Sequence, residues 1–375
     1  MTVRENPLAE HRRIVVKVGS ALLVNEAGQF DPATVTRIAD EIAVLRRDGR
    51  EVLVVSSGAV AIGLGILGIE RRRARLEELQ ASAAAGQVQL VEAWRQALAT
   101  QEIAVAQILL VPDDTEDRRR FLNARGTLLR LLELGVTPII NENDTVATEE
   151  LRYGDNDRLA ARVAQMVMAD ALVLLSDVDG LYTADPRRDT SATHIAHVER
   201  LTGDIFAIAG ASGSTVGSGG MRTKMEAARI ATRAGCTTLV ASGRSNAPLT
   251  GLGPGKRYTE VAPRTTPAAA RKQWLAGALG VRGALHVDAG AEAALGAGKS
   301  LLPVGITAVE GSFDRGDTVA LIGAGGAEFA RGIAAYEADE VLSILGCRSD
   351  DIEDRLGYRG RSVVVHCDDL VILNH

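Results

Sequence analysis

The sequence predicts an α/β domain with a mainly parallel central sheet, followed by a small, mainly β domain at the C-terminal end. Short runs rich in Val, Ile and Leu alternate with amphipathic stretches of helical periodicity up to about residue 240. These runs are apolar almost throughout, as expected of parallel strands that helices cover on both faces. A length of 375 residues allows two domains.

The first domain is expected to contain six strands and at least five helices. The predicted strands are Arg13–Val18, Glu51–Val55, Ala104–Leu110, Val136–Ile140, Ala171–Leu175 and Thr238–Val240. The predicted helices are Thr34–Arg47, a long region ending near Ala99, Arg118–Glu133, Leu159–Val167 and Thr223–Ala234. Because proline has no N–H to donate, Pro138 predicts that its strand lies at a sheet edge or contains a bulge.

A run rich in Gly, Pro, Arg and Thr near residues 246–267 ends this alternation. We therefore predict a first domain over residues 1–262, a linker over 263–281 and a second domain over 282–375. The predicted strands of the second domain are Ala284–Val287, Gly305–Val309, Asp317–Leu321, Ala330–Tyr336 and Val363–His366.

Composition argues against several functions. The formal net charge is −6, and residues 281–375 hold 8 Lys and Arg against 15 Asp and Glu, which disfavours a nucleic-acid interface there. Aromatic residues make up only 3%, too few for a base-stacking surface. Three widely spaced cysteines and a polar N-terminus without an apolar segment favour reduced thiols and a cytoplasmic location.

Lysine is rare in this chain: only five of the 42 basic residues are Lys. A lysine that persists among so many arginines favours a position that needs a compact ammonium group. Lys17 lies inside the first apolar strand, just before Gly19, and Lys224 lies at the end of the Gly-rich run 217–224. Both are therefore candidates for binding an anion, although Lys17 could also reach the surface at a strand end.

Polar motifs follow the predicted strands, where open α/β sheets bind their ligands. Ser57 and Gly58 open a helix, which suits an anion or a simple Ser N-cap. Residues 141–144 (NEND) and 154–157 (GDND) suit a zwitterionic ligand or capping turns. Ser176 and Asp177 end another strand, and residues 217–224 (GSGGMRTK) suit a phosphate cradle or a flexible surface loop.

A G-x-G-x-x-G pattern at residues 63–68 is expected not to bind a dinucleotide. It lies well past the end of the preceding strand, within a predicted helix, and no acidic residue follows about twenty positions later.

Seven segments in order resemble the bacterial glutamate 5-kinase family of the amino-acid kinase superfamily: IVVKVGS, VVSSGAVAIG, FLNARGTL, INENDTVAT, YGDNDRLAA, LLSDVDGLYTADPR and GSGGMRTKMEAA. The segment SLLPVGITAVEGSFDRGDTV resembles a PUA domain. The resemblance implies an amino-acid kinase-like three-layer sandwich with a PUA-like domain. It also implies ATP-dependent phosphorylation of the γ-carboxylate of L-glutamate, the first step towards proline, with Mg²⁺, feedback inhibition by proline and a dimer or tetramer.

The resemblance also assigns roles to residues. Lys17 and Lys224 would flank the transferring phosphoryl group, and Asp157 would orient both. The residues that would bind glutamate are Ser57, Asp144 and Asn156. Those that would bind ATP are Lys17, Ser176, Asp177, Ser218, Gly219, Gly220, Met221, Arg222, Thr223 and Lys224. No metal ligand is assigned from the chain, because Mg²⁺ would be carried with ATP.

Two alternatives stay open at this point. Another amino-acid kinase, acting on acetylglutamate, aspartate or carbamate, would use the same phosphate-binding motifs. A protein that binds RNA through the PUA-like domain is a different class, which the acidic balance of that domain disfavours.

Overall fold

The computed structural model describes residues 6–25, 29–146, 156–211, 220–276 and 280–373. The chain divides into two compact units. The first comprises Met1–Glu116 and Asn123–Pro267, and the second comprises Asp117–Leu122 and Ala268–His375. The limits of the linker at 263 and 281 stay a prediction.

The first unit is built on an eight-stranded, mainly parallel sheet, which confirms the predicted fold class. Its strands are β1 (Arg13–Val18), β2 (Glu51–Ser56), β3 (Val105–Leu110), β4 (Thr137–Glu142), β5 (Ala171–Ser176), β8 (His197–Val198), β9 (Thr237–Ser242) and β10 (Tyr258–Val261). Their order is β3-β4-β2-β1-β5-β9-β10-β8, and only the β9–β10 pair is antiparallel. A separate antiparallel pair joins β6 (Leu181–Tyr182) to β7 (His194–Ile195).

Helices follow the strands of the first sheet. They are α1 (Ser20–Leu23), α2 (Pro32–Arg47), α3 (Ala59–Leu67), α4 (Leu76–Ala99), α5 (Asp113–Glu116), α6 (Arg118–Glu133), α7 (Asn156–Met166), α8 (Gly203–Ala211) and α9 (Met221–Arg233). The predicted helical region ending near Ala99 is therefore two helices, α3 and α4. The other predicted bounds lie within three residues of the observed ones.

Alternation along β1 separates the apolar core from the polar site. Ile14, Val16 and Val18 join a buried cluster that also contains residues of α2 and α4. Since successive side chains of a strand point to opposite faces, Lys17 points to the other face of the sheet. That face is the one on which α7 contacts β1 and β5.

The prediction that Pro138 marks an edge strand or a bulge is wrong, because β4 lies between β3 and β2 and its described pairing with both has no shift in register. Thr137 donates its N–H towards the β3 side, to the Ala104 carbonyl. N–H groups alternate sides along a strand, so the missing N–H of Pro138 faces β2. The β2 ladder pairs only Ile139 and Ile140 of β4, and the proline lies just before it.

Of the three glycines in the 63–68 motif, Gly63 serves helix packing. Gly63 lies inside α3, and a Cβ there would be 1.7 Å from the Ser82 carbonyl oxygen of α4. A Cβ on Gly86 of α4 would be 1.9 Å from the Ala59 carbonyl oxygen of α3. Only glycine permits this approach, so α3 and α4 pack backbone to backbone at two points.

The second unit holds a five-stranded sheet of order β12-β11-β13-β14-β15. Its strands are β11 (Val281–Val287), β12 (Ile306–Gly311), β13 (Thr318–Ile322), β14 (Glu328–Ile333) and β15 (Leu370–Ile372). Helices α10 (Pro267–Ala276), α11 (Ala289–Gly296), α12 (Ala338–Ile344) and α13 (Ile352–Leu356) accompany them. The predicted strand Val363–His366 is wrong: there Val365 forms only an isolated bridge to Leu301, and the last strand comes four residues later.

Two observations concern the state of the cysteines and the possibility of a membrane-spanning helix. Cys236, Cys347 and Cys367 are all free thiols. Within the described ranges, no helix combines the length and apolar character needed to cross a membrane.

Candidate active site

One buried carboxylate binds two lysines that are 207 positions apart in the sequence. Lys17 Nζ lies 2.6 Å from Asp157 Oδ1, and Lys224 Nζ lies 3.1 Å from Asp157 Oδ2. Asp157 is 1% exposed, Lys17 6% and Lys224 3%. The structure therefore brings the two rare lysines of the sequence motifs to a single point in the first unit.

The electrostatic balance of this triad keeps Asp157 ionised. Burial by itself raises the pKa of Asp157, because the charged form loses its water. The charges and hydrogen bonds of Lys17 and Lys224 outweigh this effect and hold the pKa of that carboxyl well below its usual range. The site therefore carries one negative and two positive charges.

Three elements position the triad. Lys17 lies on β1 in the centre of the sheet, in register with Val55 of β2 and Leu174 of β5. Asp157 is the second residue of α7, and Lys224 is the fourth of α9. These two helices contact each other closely, so their first turns converge on the end of β1.

The first turn of α9 brings the Thr223 hydroxyl and the Gly220 backbone next to the triad. Gly220 caps α9, and Thr223 Oγ1 lies 3.0 Å from Asp157 Oδ2 and 2.8 Å from the Gly220 carbonyl oxygen, so its single hydrogen is donated to one or the other. Across the triad, Gly19 follows β1, and a Cβ there would lie 3.7 Å from Lys17 Nζ. The glycine leaves space beside the ammonium group.

Arg222 and Met221, also predicted to bind ATP, lie in the same turn. The Arg222 guanidinium pairs with Glu226 at 3.3 Å and is exposed, and Met221 is half-buried. Neither contacts the triad through a described hydrogen bond.

A second group of polar side chains is joined to the triad by the adjacent residue, Asn156. Asn156 Nδ2 donates to Ser57 Oγ at 2.8 Å and to Asn141 Oδ1 at 2.9 Å. Asn141 Nδ2 in turn donates to Gln87 Oε1 at 2.8 Å. Ser57 and Asn156, both predicted to bind the substrate, are thus in direct contact.

The turn after β2 places Ser57 at this point. Gly58 caps α3 with φ +112°, a left-handed conformation that strongly favours glycine. Behind the turn, Trp94 Nε1 donates to Ser56 Oγ at 3.0 Å and anchors α4 to the end of β2. The predicted Ser/Gly turn at a helix N-terminus is observed.

Asp144 begins a short 3₁₀ turn, Asp144–Val146, shortly after β4. Burial raises the pKa of Asp144 to about 6, and no described cation offsets this. A half-buried carboxylate without a cation is suited to receive one from a ligand, such as an ammonium group.

Ser176 and Asp177 end β5, the strand beside β1. Ser176 is buried, and its Oγ donates to Asp177 Oδ1 at 3.0 Å, while Asp177 itself is exposed. Ser218 and Gly219, predicted to bind ATP, and Gly154 and Asp155 of the GDND motif lie outside the described residues.

Sequence reasoning missed Gln87. It lies in the middle of α4, 54 positions before Asn141, and is only 8% exposed. The sequence of α4 does not distinguish Gln87 from its neighbour Gln89. Both lie in the same Ala- and Gln-rich stretch, yet Gln89 is exposed.

Asp157, the most buried acid of the site, is poorly placed to bind a magnesium ion, because both of its carboxylate oxygens contact ammonium groups. Mg²⁺ is commonly held by nucleotide phosphates and waters, and its binding together with ATP stays a prediction. A His366–Cys367–Asp368 group in the second unit has metal-ligand chemistry, but it is confined to one exposed turn.

Two lysines on one buried carboxylate, beside the first turns of two helices, form a cationic site of the kind that phosphotransferases use. A family model described as "Amino acid kinase family" matches residues 12–242, and one described as "PUA domain" matches residues 283–356. The chain belongs to the amino acid kinase family.

Curated relatives extend this similarity to nearly the whole chain. Glutamate 5-kinase from Agrobacterium fabrum (strain C58) is 52% identical over 372 residues, covering 99% of this chain and 96% of the relative. Glutamate 5-kinase from Rhizobium etli (strain CIAT 652) and glutamate 5-kinase 1 from Rhizobium meliloti (strain 1021) are each 53% identical, covering 99% of this chain and 95% of the relative.

Proposed function

We propose that this protein transfers the γ-phosphoryl group of ATP to the γ-carboxylate of L-glutamate. A carboxylate oxygen attacks the γ-phosphorus, the bond from that phosphorus to the β,γ-bridging oxygen breaks, and the products are glutamate 5-phosphate and ADP. The similarity of the whole chain to glutamate 5-kinases supports this choice of substrate. The reaction would be the first step of proline biosynthesis.

The observation that carries the proposal is the triad of Lys17, Asp157 and Lys224. Phosphoryl transfer needs positioning and charge stabilisation more than covalent chemistry. Two ammonium groups held by one buried carboxylate are preorganised to stabilise negative charge on a phosphoryl group between the two substrates. In this role Lys17 and Lys224 touch the reacting group, and Asp157 is a positioning residue.

The neighbouring polar groups suit glutamate on one side. Ser57 and Asn156 lie beside the triad, and Asp144 supplies a carboxylate for the substrate ammonium group. On the other side, ATP would contact Ser176 and Asp177 together with residues 218–220 and the first turn of α9 up to Lys224. Magnesium bound with ATP would neutralise part of the phosphate charge.

Further properties belong to the same proposal. We infer feedback inhibition by proline, a homo-oligomer and a cytoplasmic location from the resemblance to the glutamate 5-kinase family. No described contact bears on them.

A direct experiment measures ADP release from ATP with glutamate, N-acetylglutamate, aspartate or carbamate as acceptor. We expect turnover with glutamate that requires Mg²⁺ and falls when proline is added. Turnover that prefers another acceptor would assign the chain to a different activity within the family. ADP release that does not depend on any of these acceptors would contradict the proposal.

A further inference from the structure

The amides beside the triad form a chain whose polarity the backbone sets. The Glu142 N–H, which can only donate, points to one atom of the Asn141 carboxamide at 2.9 Å, so that atom is Oδ1. The Asn141 Nδ2 therefore faces Gln87, whose contacting atom must be the acceptor Oε1. The same Asn141 Oδ1 receives a hydrogen from Asn156, which identifies the contacting atom of Asn156 as Nδ2.

This polarity leaves a hydrogen-bond acceptor and a donor at the end of the chain. Both hydrogens of Asn156 Nδ2 are used, by Asn141 and by Ser57. Asn156 Oδ1 is buried and receives no hydrogen bond from any described group. Ser57 Oγ already accepts, so its own hydrogen is available to donate. The pair thus offers an acceptor suited to an ammonium group and a donor suited to a carboxylate.

We propose that Gln87 is a positioning residue that, through Asn141, holds the Asn156 carboxamide with Oδ1 towards the substrate and so favours acceptors with a free ammonium group. Without Gln87, the Asn141 Nδ2 is a buried donor without a partner, and the side chain must move to find one. Asn156 then loses one of the two contacts that orient it. The inference rests on the proposed function.

The packing of α3 against α4 brings Gln87 to the sheet. Gly86, the residue before it, has its Cα so close to α3 that a Cβ would be 1.9 Å from the Ala59 carbonyl oxygen. Ala59 follows the Ser57-Gly58 turn directly. The same close approach therefore sets the distance between Gln87 and the substrate-binding turn.

The test compares wild type with Gln87→Met, which keeps the length of the side chain and removes the acceptor. The readouts are kcat, the KM for glutamate, the KM for ATP and the Ki of glutarate, the analogue of glutamate without the amino group, as a competitor of glutamate. In Gln87→Met we expect the KM for glutamate to rise about tenfold, as for a weakened bond to a charged group. The KM for ATP and the glutarate Ki should stay within about twofold, because neither ligand uses Asn156 Oδ1.

Two matched variants separate positioning from packing. Gln87→Glu keeps an oxygen that accepts from Asn141 in either protonation state and should restore the KM for glutamate to within about threefold of wild type. Gln89→Met makes the same change at the exposed glutamine two residues along α4 and should change none of the constants. If Gln87→Met does not fold, Gln87→Ala is assayed with the same readouts.

Three results would overturn the inference: an unchanged KM for glutamate in Gln87→Met, a parallel rise in the glutarate Ki, or a Gln87→Glu variant as impaired as Gln87→Met. The proposed function fails separately, and before any variant is made, if the wild-type protein does not phosphorylate glutamate.

Discussion

Replacing Asp157 with Asn tests the triad most severely. Asn has the same shape but no charge, and its amide nitrogen would face one of the two ammonium groups. At an effective dielectric constant of about 20, unit charges at the two observed distances of 2.6 and 3.1 Å attract by roughly 5–6 kcal/mol each. Desolvation of the three buried ions offsets much of this attraction.

The net effect follows from what remains after the substitution. Lys17 and Lys224 both lose the carboxylate charge that they contact while they stay buried, and removing one partner of a buried ion pair costs about 3–5 kcal/mol. At 2–4 °C per kcal/mol, we expect the Tm of the first unit to fall by roughly 6–20 °C. We expect kcat to fall by on the order of 10²–10³, the range for loss of one charge-stabilising group.

Calorimetry near pH 7.5 and the glutamate-dependent ADP assay measure the two effects. Asp144→Asn is the matched control, because that carboxyl is half-buried with no described cation beside it, and burial already disfavours its charged form. The control should be no less stable than wild type. An Asp157→Asn protein with a Tm within about 2 °C of wild type and kcat within about threefold would refute the reasoning.

Three further predictions concern other groups of the first unit. Lys17→Arg and Lys224→Arg should each fold and lose about 10²-fold or more in kcat, because a planar guanidinium does not fit the space of an ammonium group. A near-normal kcat in both variants would contradict the roles proposed for these lysines. The KM for glutamate should rise as pH falls through about 6, where Asp144 takes up a proton, and Asp144→Ala should raise this KM at pH 7.5 and remove its pH dependence. Gly86→Ala should cost about 1–3 kcal/mol of stability, because its Cβ would meet the backbone of α3, and a wild-type Tm would contradict the close packing.

Asp157 and Asp144 should make the stability of the protein depend on pH in opposite ways. The pKa of Asp157 is lowered in the folded state, so its contribution is present above the unfolded value of about 4 and is lost as pH falls below it. The pKa of Asp144 is raised to about 6, so the folded state is favoured at low pH and loses this advantage as pH rises from about 4 to 6. Asp144→Asn should therefore match wild type near pH 4 and be the more stable protein above pH 6.

Features that depend on local pattern could be predicted from the sequence. The strands β1, β2 and β5 are apolar runs, and parallel strands end at one edge of a sheet, so motifs distant in sequence were expected to meet there. The meeting of Lys17 with Lys224 follows this rule. The roles assigned to them, and to Asp157, stay predictions.

Features that depend on packing between distant elements could not be predicted. Pro138 is tolerated in an inner strand only because the neighbouring ladder is short at that point. Gln87 enters the site because two glycines let α3 and α4 approach, and no periodicity reports such contacts. In the second unit, Val363–His366 has the apolar composition of a strand, but the sheet pairs with Leu370–Ile372 instead.

The central claim is that Lys17 and Lys224 act on the same transferring phosphoryl group. Calorimetry can test it by titrating the protein with ADP, Mg²⁺, aluminium fluoride and glutamate, a mixture that mimics the group in transit. We expect tight binding by wild type and a loss of about 10²-fold or more in both Lys17→Met and Lys224→Met, since transition-state mimics depend on the groups that stabilise the transition state. Wild-type affinity in either variant would contradict the account.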